Sequence, residues 1–349
     1  MDWFEQVFGF REEGGFEEVK SKFAISREDD GNILLSTAAP GTKRKPKRTF
    51  HVGRFDTPTL SELRDKAGRS SCPADNKRKR KDGLTFQHII GDVDALHRAQ
   101  ENQGAVFQAA SQFNCLEMIH PSITREMGIT RYAHDYTQGP ACAMVCPAGT
   151  LYRNYFAEPM NTLQDVGKVL GNHDISKKKP MYWKIKNGYA LAAKKDSIKT
   201  LSQKLQENDG LIDKAMAQLR VGVHWNTEVD QGTHNNSDNN QQRVAQVYCS
   251  ALPIAYDITA SDADWSHFAQ LVLDGSYEAT LAVAAVLAKE RNKRVKVYLT
   301  MLGGGAFGNR VEWIRQAIQR ALRLYQDSML DVYLVHYKKL SPDYSDLTV

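Results

Sequence analysis

The sequence predicts an α/β fold in which helices flank a mixed, mainly parallel sheet, and three observations predict it. Residues 295–325 read as a strand, a glycine loop and a helix in immediate succession. Apolar residues recur with a period of two over 295–299 and at helical spacing over 311–325. Upstream, two short apolar segments at 84–90 and 105–110 each end in polar residues, and open α/β sheets bind ligands at the carboxyl ends of their strands.

Length and composition indicate a globular protein. The 349 residues suffice for one large or two ordinary domains, and the five cysteines support neither a disulfide framework nor a zinc ribbon. No apolar run approaches the roughly 18 residues of a membrane span, and the amino terminus lacks a basic region followed by a long apolar run. We therefore expect no membrane span and a cytoplasmic or nuclear location.

The net charge of +5 includes two basic runs, at 43–48 and 77–81. Such runs can bind nucleic acid or direct nuclear import. Because no aromatic side chain interleaves with the charges for base stacking, solvated loops are the favoured interpretation and a nucleic-acid partner is disfavoured.

Residues 1–82 are predicted to form an extension rather than a domain of their own. Short elements are expected over 16–55, and Thr59 with Glu62 forms a capping box that begins a helix. A piece of this size buries too little apolar surface to be stable alone. We therefore expect it to pack on the domain that follows.

Residues 83–349 are predicted to form one ligand-binding domain with an insertion at about 157–243. Helices are expected over 196–216 and 279–289, and the polar stretch 230–243, dense in Asn and Gln, is expected to be a loop. The strands of this domain are predicted at 84–90, 105–111, 221–229, 244–256, 295–299 and 332–336.

The glycine loop at 303–309 has the physical features of a phosphate site. Glycines let a ligand approach the main chain, and the following helix directs free N–H groups and the positive end of its dipole at the same place. Asn309 and Arg310 stand where a Walker loop requires Lys and Ser or Thr, and the chain ends too soon after the next strand for a Rossmann half-domain. A glycine-rich turn without a ligand is the alternative.

Four segments, in order, resemble the macrodomain superfamily, which binds ADP-ribose. Residues 305–308, Gly-Ala-Phe-Gly, resemble its diphosphate loop, and residues 91–93, Gly-Asp-Val, resemble its entry motif, in which the aspartate reaches the adenine edge. Residues 105–111 are similar to the family's Val-Asn-Ala-Ala-Asn strand, although Gln and Ser replace the two asparagines. Residues 137–141 resemble the glycine loop on the distal side of the diphosphate.

This resemblance implies a macrodomain-like three-layer αβα sandwich with ADP-ribose, as ligand or product, across the carboxyl ends of the strands, and no cofactor or metal. For Asp92 a helix-capping role is an equal alternative, and for Asn114 and Glu117 the alternatives are a cap and a solvent-facing acid. The predicted ligand contacts are Asp92, Gln112, Asn114, Glu117, Gln138, Gly139, Gly303, Gly304, Gly305, Ala306, Phe307, Gly308 and Asn309.

Acidic residues crowd the segment 257–278, after the predicted strand 244–256. If they converge at one strand end, the pKa of at least one carboxyl group rises and a general acid or base results. The segment resembles MavL-like macrodomain hydrolases, which release ADP-ribose from an arginine of ubiquitin with acidic residues. Alternatively, these carboxylates complement a helix dipole or lie in a surface turn. The predicted catalytic candidates are Asp257, Asp264, Asp274 and Glu278.

The sequence and the resemblance together predict an ADP-ribosyl hydrolase, an enzyme that cleaves a glycosidic bond to remove ADP-ribose from a modified protein. By resemblance the modified group is ADP-ribosylarginine, and ubiquitin is a candidate partner. Two other classes stay open: a module that binds ADP-ribose without cleaving it and, with least support, a nucleic-acid-binding protein. No membrane partner is expected.

Overall fold

A seven-stranded sheet organises the computed structural model of the chain, which describes residues 1–37, 48–68, 83–174, 179–232 and 241–349. Apart from Arg48, the two predicted basic runs lie outside the described residues. The amino-terminal elements are α1 (Trp3–Phe8), α2 (Phe16–Ser21), β1 (Ala24–Arg27), β2 (Ile33–Ser36), β3 (Thr49–Gly53), β4 (Phe55–Asp56) and α3 (Leu60–Ala67).

The rest of the chain supplies the other strands of the sheet and the helices that cover it. The elements up to the end of the insertion are β5 (Thr85–Ile90), α4 (Val93–Arg98), β6 (Val106–Ala110), α5 (Gln138–Val145), α6 (Pro147–Tyr155), α7 (Gln164–Leu170), β7 (His173–Asp174), β8 (Lys179–Pro180), β9 (Trp183–Lys186), β10 (Tyr189–Ala192), α8 (Ser197–Gln206), α9 (Asp209–Ala217) and β11 (Gly222–Glu228). The last elements are β12 (Arg243–Cys249), α10 (Asp262–Arg291), β13 (Val295–Leu299), α11 (Val311–Leu324) and β14 (Leu330–His336).

The order of the strands in the sheet is β4-β11-β12-β6-β13-β14-β5. The strands from β12 to β5 are parallel, and β11 and β4 extend one edge in antiparallel fashion. This arrangement confirms the predicted α/β class with a mixed, mainly parallel sheet. The chain leaves β6 toward β12 on one side and leaves β13 toward β14 on the other, so a crevice is expected between β6 and β13.

Alternate residues of the central strands point to separate cores on the two faces of the sheet. Val106 of β6 and Val297 of β13 pack on one face with the helices α10 and α11. Phe107 and Tyr298, the next residue of each strand, pack on the other face beside α4 and α5. Helices therefore cover both faces of the parallel strands.

The thirty-residue helix α10 differs most from the prediction, because it begins at Asp262 rather than near residue 279. Ser261 caps it: the Ser261 hydroxyl accepts from the N–H of Asp264, and the Asp264 carboxylate accepts from the N–H of Ser261. By length and composition α10 could cross a membrane, but its most apolar window is 94% buried inside the protein, as in the core helix of a globular domain.

Two other predicted elements are shorter than expected. The strand predicted over 244–256 ends at Cys249, and a 3-10 turn follows at Ile254–Tyr256, directly after Pro253. The helix predicted over 196–216 is divided into α8 and α9.

The amino-terminal elements contact the rest of the chain through aromatic side chains and through the sheet. Phe4, Phe8 and Phe23 are buried with ring centroids 4.7 to 6.3 Å apart. Leu116 and Ile129, which lie far along the chain, belong to the same apolar cluster. Because β4 also pairs with β11, this segment is held by both apolar burial and main-chain hydrogen bonds.

Candidate active site

A crevice opens at the carboxyl ends of the strands, where β6 and β13 separate. The two strands pair at Val106 and Phe107. Beyond these residues the Gln138 side chain takes over, donating to the Gln108 carbonyl at 2.7 Å and accepting from the Ala110 N–H at 2.9 Å. Gln138 thus supplies hydrogen bonds to main-chain groups of β6 that no longer pair with β13. This is the switch point of the sheet, where α/β folds bind ligands.

Two cavities meet at this crevice. The first, of about 260 Å³, lies between the segment after β6 and the glycine loop after β13. The second, of about 620 Å³, extends toward the ends of β14 and β5. Asp135, Thr137, Gln138 and Thr300 line both, so the two cavities adjoin across the ends of the parallel strands and are together called the cleft.

The glycine loop lines the first cavity and presents three main-chain donors. Within the described residues, no hydrogen bond engages the N–H groups of residues 305–307. Asn309 holds the loop in place, because its side chain donates to the Leu252 carbonyl at 2.8 Å and its N–H donates to the Gly303 carbonyl at 2.9 Å. Main-chain N–H groups without a partner, just before a helix begins, can hold an anion.

Gly303 is the residue of this loop that most needs to be glycine. Its φ is +74°, and an added Cβ would lie 2.4 Å from the Cβ of Ala251. Gly303→Ala is therefore expected to lower the free energy of unfolding by about 2 kcal/mol, from backbone strain and overlap together. Gly31→Ala is the matched control, because Gly31 has a φ of +84° with open space around the added Cβ.

Urea denaturation of both variants separates strain from overlap. The control is expected to lose only about 1 kcal/mol, the cost of the left-handed conformation alone. Equal losses in the two variants would contradict the tight contact between the glycine loop and Ala251.

A tight loop after β6 brings Glu117 to the first cavity. The Gln112 side-chain amide clamps this loop, because it donates to the Met118 carbonyl at 3.1 Å and accepts from the Met118 N–H at 2.8 Å. The Tyr132 hydroxyl accepts from the Glu117 N–H at 3.0 Å. The conformation around Glu117 is therefore fixed by contacts inside the loop and by a residue beyond it.

Glu117 is a buried carboxyl group that lines the first cavity. Its side chain is 2% exposed, and within the described residues neither carboxyl oxygen has a hydrogen-bond partner. The Arg153 guanidinium lies 3.6 Å away, too far for a hydrogen bond. Burial raises the pKa of Glu117 to about 8, against the opposing attraction of Arg153. A carboxyl group whose pKa is raised in this way keeps its proton closer to neutral pH and can act as a general acid.

Three aromatic side chains, from separate segments, line the same cavity. Tyr189, Tyr256 and Phe307 come from β10, from the turn after β12 and from the glycine loop, with ring centroids 5.4 to 5.8 Å apart. The Tyr189 hydroxyl donates to the Met118 carbonyl at 2.6 Å, which ties β10 to the loop that carries Glu117. Apolar walls of this kind lower the local dielectric and strengthen polar contacts inside the cavity.

The second cavity combines aromatic and aliphatic walls with Asp92. Val335 and Tyr337, from the end of β14, line it. Asp92 caps α4 by accepting from the N–H groups of Asp94 and Ala95 at 2.8 and 3.4 Å. Asp92 also lines the cavity, so the capping contact and a ligand contact are compatible for this residue.

The structure brings nine of the thirteen predicted ligand contacts to the cleft. These nine are Asp92, Gln112, Glu117, Gln138, Gly139, Gly303, Gly305, Ala306 and Phe307. The other four shape the loops instead. Asn114 accepts from the Leu116 N–H at 3.1 Å, Gly304 and Gly308 form turns of the glycine loop, and Asn309 anchors that loop.

The four predicted catalytic carboxylates are not brought together, and none lines either cavity as the structure describes them. Asp264 and Glu278 are fourteen residues apart on α10, or about 21 Å along its axis. Asp264 is engaged in the cap of that helix. Asp257 accepts from the Ala192 N–H at 2.6 Å and from the Thr259 N–H at 2.8 Å. The expected convergence at one strand end fails because a helix spreads these residues out.

Glu278 contacts two other helices, whereas Asp274 forms its hydrogen bond within α10. Glu278 accepts from Arg64 at 2.6 and 2.8 Å and from Arg320 at 2.6 Å. Burial acts to raise the pKa of Glu278, but these arginines lower it below its ordinary value. Asp274 accepts from the Gln270 side chain at 2.7 Å, and burial raises the pKa of Asp274. The geometry of Glu278 is that of a structural ion pair.

The cleft also contains residues that the sequence did not predict as contacts. They include Asp135, Tyr189, Tyr256, Thr300 and Met301. Asp135 lies two residues before the predicted loop at 137–141, and Thr300 directly follows β13, so position near the end of an element could have indicated both. No comparable signal marks Tyr189, which lies in the insertion. Among the described residues, no group of three or more His, Cys, Asp or Glu side chains is placed to hold a metal ion.

Comparisons with known proteins find similarity among solved structures. No protein-family model matches the chain, and no curated protein matches it. Poly(ADP-ribose) glycohydrolase from Thermomonospora curvata is similar with a TM-score of 0.42 and 11% identity, over 98% of this chain and 94% of that one. The Deinococcus radiodurans glycohydrolase in complex with ADP-ribose gives 0.39 and 12%, over 84% and 91%. At these values the function has to be inferred from the cleft itself.

Proposed function

We propose that the protein is a hydrolase that cleaves the glycosidic bond between ADP-ribose and the group it modifies. The observation that carries this proposal is the buried Glu117 carboxyl group, without a hydrogen-bond partner among the described residues, in a cavity that the glycine loop also lines. A general acid beside an anion site is what cleavage of a ribosyl bond near a diphosphate requires. The two adjoining cavities suit an elongated ligand of this kind.

In the proposed reaction, the N–H groups of residues 305–307 hold the diphosphate and so place the distal ribose in the first cavity. Glu117 gives its proton to the departing nitrogen or oxygen as the bond to the ribose C1 breaks. A water molecule adds to the same carbon, and its proton passes to Asp135, which lines both cavities. The side chains of Tyr189, Tyr256 and Phe307 shield the positive charge that develops at the ribose C1 from bulk water.

We propose protein arginine as the acceptor, with ubiquitin as the candidate modified protein. The support is the sequence resemblance of residues 257–278 to MavL-like hydrolases, not the geometry of the cleft, because the four acidic candidates of that segment lie outside both cavities. The test is to incubate the protein separately with arginine-linked ADP-ribosyl ubiquitin, with serine-linked ADP-ribosyl protein and with poly(ADP-ribose), and to quantify released ADP-ribose. Release from the arginine-linked substrate is expected. Release from only one of the other substrates would support the hydrolase activity but assign it a different acceptor. Release from none of the three would contradict the hydrolase activity.

The pH dependence of release is expected to follow Glu117. The reaction needs the protonated carboxyl group, and burial raises the pKa of Glu117 to about 8, so kcat/KM is expected to fall as pH rises through about 8. A glutamic acid with an unperturbed pKa of about 4.3 would already lose activity above about pH 5. A kcat/KM profile from about pH 5 to about pH 10 checks this, and an alkaline limb near pH 5 would contradict the assignment.

A module that binds ADP-ribose without cleaving it is the second candidate. The observation that favours it is the Arg153 guanidinium, 3.6 Å from the Glu117 carboxyl group, because an ionised pair would leave no proton to donate. Binding of ADP-ribose in calorimetry, together with no release from any of the three modified substrates, would identify this second function.

A further inference from the structure

We propose that the amino-terminal extension forms the base end of the nucleotide site, with Trp3 as the side chain on which the adenine ring stacks. This inference rests on the proposed function and deepens it. It assigns one end of the ligand to a segment that precedes the glycine loop by about three hundred residues, and it makes Trp3 a residue that determines base affinity.

The position of Trp3 is the first support. Trp3 lines the second cavity together with Asp92, Tyr136 and Tyr337. Its indole Nε1 donates to the Thr130 carbonyl at 3.1 Å, which fixes the orientation of the ring. A half-buried indole held in this way is a preorganised surface for stacking.

The charge of the second cavity is the next support. Among the described residues that line it there is no Lys, Arg or His, whereas Asp92, Asp94 and Asp135 contribute carboxylates. The first cavity also contains carboxyl groups and no Lys, Arg or His among its described lining residues, so the main-chain N–H groups of residues 305–307, not charge, assign the diphosphate to the first cavity. A flat base with an exocyclic amino group suits the second cavity, because aromatic walls favour the ring and a carboxylate accepts from the amino group.

A second contact of the extension holds it at this place. The Glu12 carboxylate accepts from the N–H groups of Ile129 and Thr130 at 2.8 and 2.6 Å, and from the Tyr155 hydroxyl at 2.7 Å. The turn Thr130–His134 leads directly into Asp135, which lines both cavities. The extension therefore positions Trp3 and also secures the segment on which the two cavities meet.

The test combines ADP-ribose affinity with a resonance that reports on Trp3 itself. Full-length protein is labelled with 5-fluorotryptophan, the Trp3 resonance is assigned by Trp3→Phe, and adenosine monophosphate and ADP-ribose are titrated. Trp3→Leu is expected to bind ADP-ribose about tenfold more weakly in calorimetry. Trp313→Leu is the matched control, because Trp313 is also half-buried and lies outside both cavities.

The outcomes separate this inference from the proposed function. A saturable shift of the Trp3 resonance with both nucleotides, and a loss of affinity only in Trp3→Leu, supports the inference. If the wild type binds ADP-ribose but the Trp3 resonance does not move and Trp3→Leu binds normally, the inference alone is overturned. If the wild type does not bind ADP-ribose, both fail. The wild-type resonance decides the matter even if Trp3→Leu does not fold.

Discussion

Glu117→Gln is expected to slow the release of ADP-ribose by about 100- to 10,000-fold while leaving ADP-ribose bound with nearly wild-type affinity. The substitution keeps the shape of the side chain but removes the proton that the leaving group needs. Because Glu117 is buried without a hydrogen-bond partner among the described residues, glutamine should fit with little loss of stability. Single-turnover release from a modified substrate, with calorimetry for affinity, measures both quantities.

The matched control is Asp264→Asn, which makes the same change from carboxylate to amide at a position that the sequence predicts to be catalytic. Asp264 is engaged in the cap of α10 and lies outside both cavities. Its variant is expected to release ADP-ribose at nearly the wild-type rate. If Asp264→Asn released ADP-ribose slowly and Glu117→Gln released it at the wild-type rate, Asp264 would be the catalytic residue, as the sequence predicts, and Glu117 would have no part in the mechanism.

Glu278→Ala is expected to destabilise the fold by about 3 kcal/mol, the largest loss we predict for a single side chain. Glu278 is 1% exposed and accepts three hydrogen bonds from Arg64 and Arg320, so its removal leaves two partly buried guanidinium groups without their carboxylate. Urea denaturation measures the change. Well below the melting temperature, release of ADP-ribose per folded molecule is expected to continue at the wild-type rate.

Asp262→Ala provides the comparison for Glu278→Ala on the same helix. Asp262 also pairs with an arginine, Arg310, at 3.0 Å, but the two side chains are 46% and 56% exposed. Exposed pairs of this kind contribute less than about 1 kcal/mol. If both variants lost the same small amount, the ion pairs of Glu278 would not have the structural importance that its burial indicates.

The strand before the glycine loop and the helix after it could be predicted because their sequence signals are local. The apolar alternation over 295–299 corresponds to β13, and the helical spacing over 311–325 corresponds to α11 with one residue to spare. The sequence allows two interpretations of Asp92, a ligand contact and a helix cap, and Asp92 does cap α4. In each case the residues that determine the element lie within it or beside it.

The carboxylates after β12 show where local reasoning stops. Closeness in sequence suggested closeness in space, but Ser261 and Asp264 form a capping box that starts α10 early, and the helix then carries Asp274 and Glu278 away from the strand end. The box has the spacing by which helix starts are recognised, so it was visible in the sequence.

The chemistry at Glu117 could not be predicted because its causes are distant in sequence. Its burial and its pKa depend on Arg153 and Tyr132 and on the glycine loop beyond residue 300. The same holds for the crevice between β6 and β13. There the side chain of Gln138 forms hydrogen bonds with the main chain of β6, which β13 no longer reaches. Sequence indicated that polar residues follow these strands, whereas only the packed structure shows which of them is buried without a partner.

In the proposed function, the main-chain donors of residues 305–307 hold the diphosphate of ADP-ribose. The most direct measurement is a titration of isotope-labelled protein with ADP-ribose, followed through the amide resonances of Gly305, Ala306 and Phe307. We expect these three resonances to shift together and to saturate at one ligand per chain. If the protein is saturated with ADP-ribose and these amide resonances do not shift, or if ADP-ribose does not bind at millimolar concentration, residues 305–307 do not hold the diphosphate.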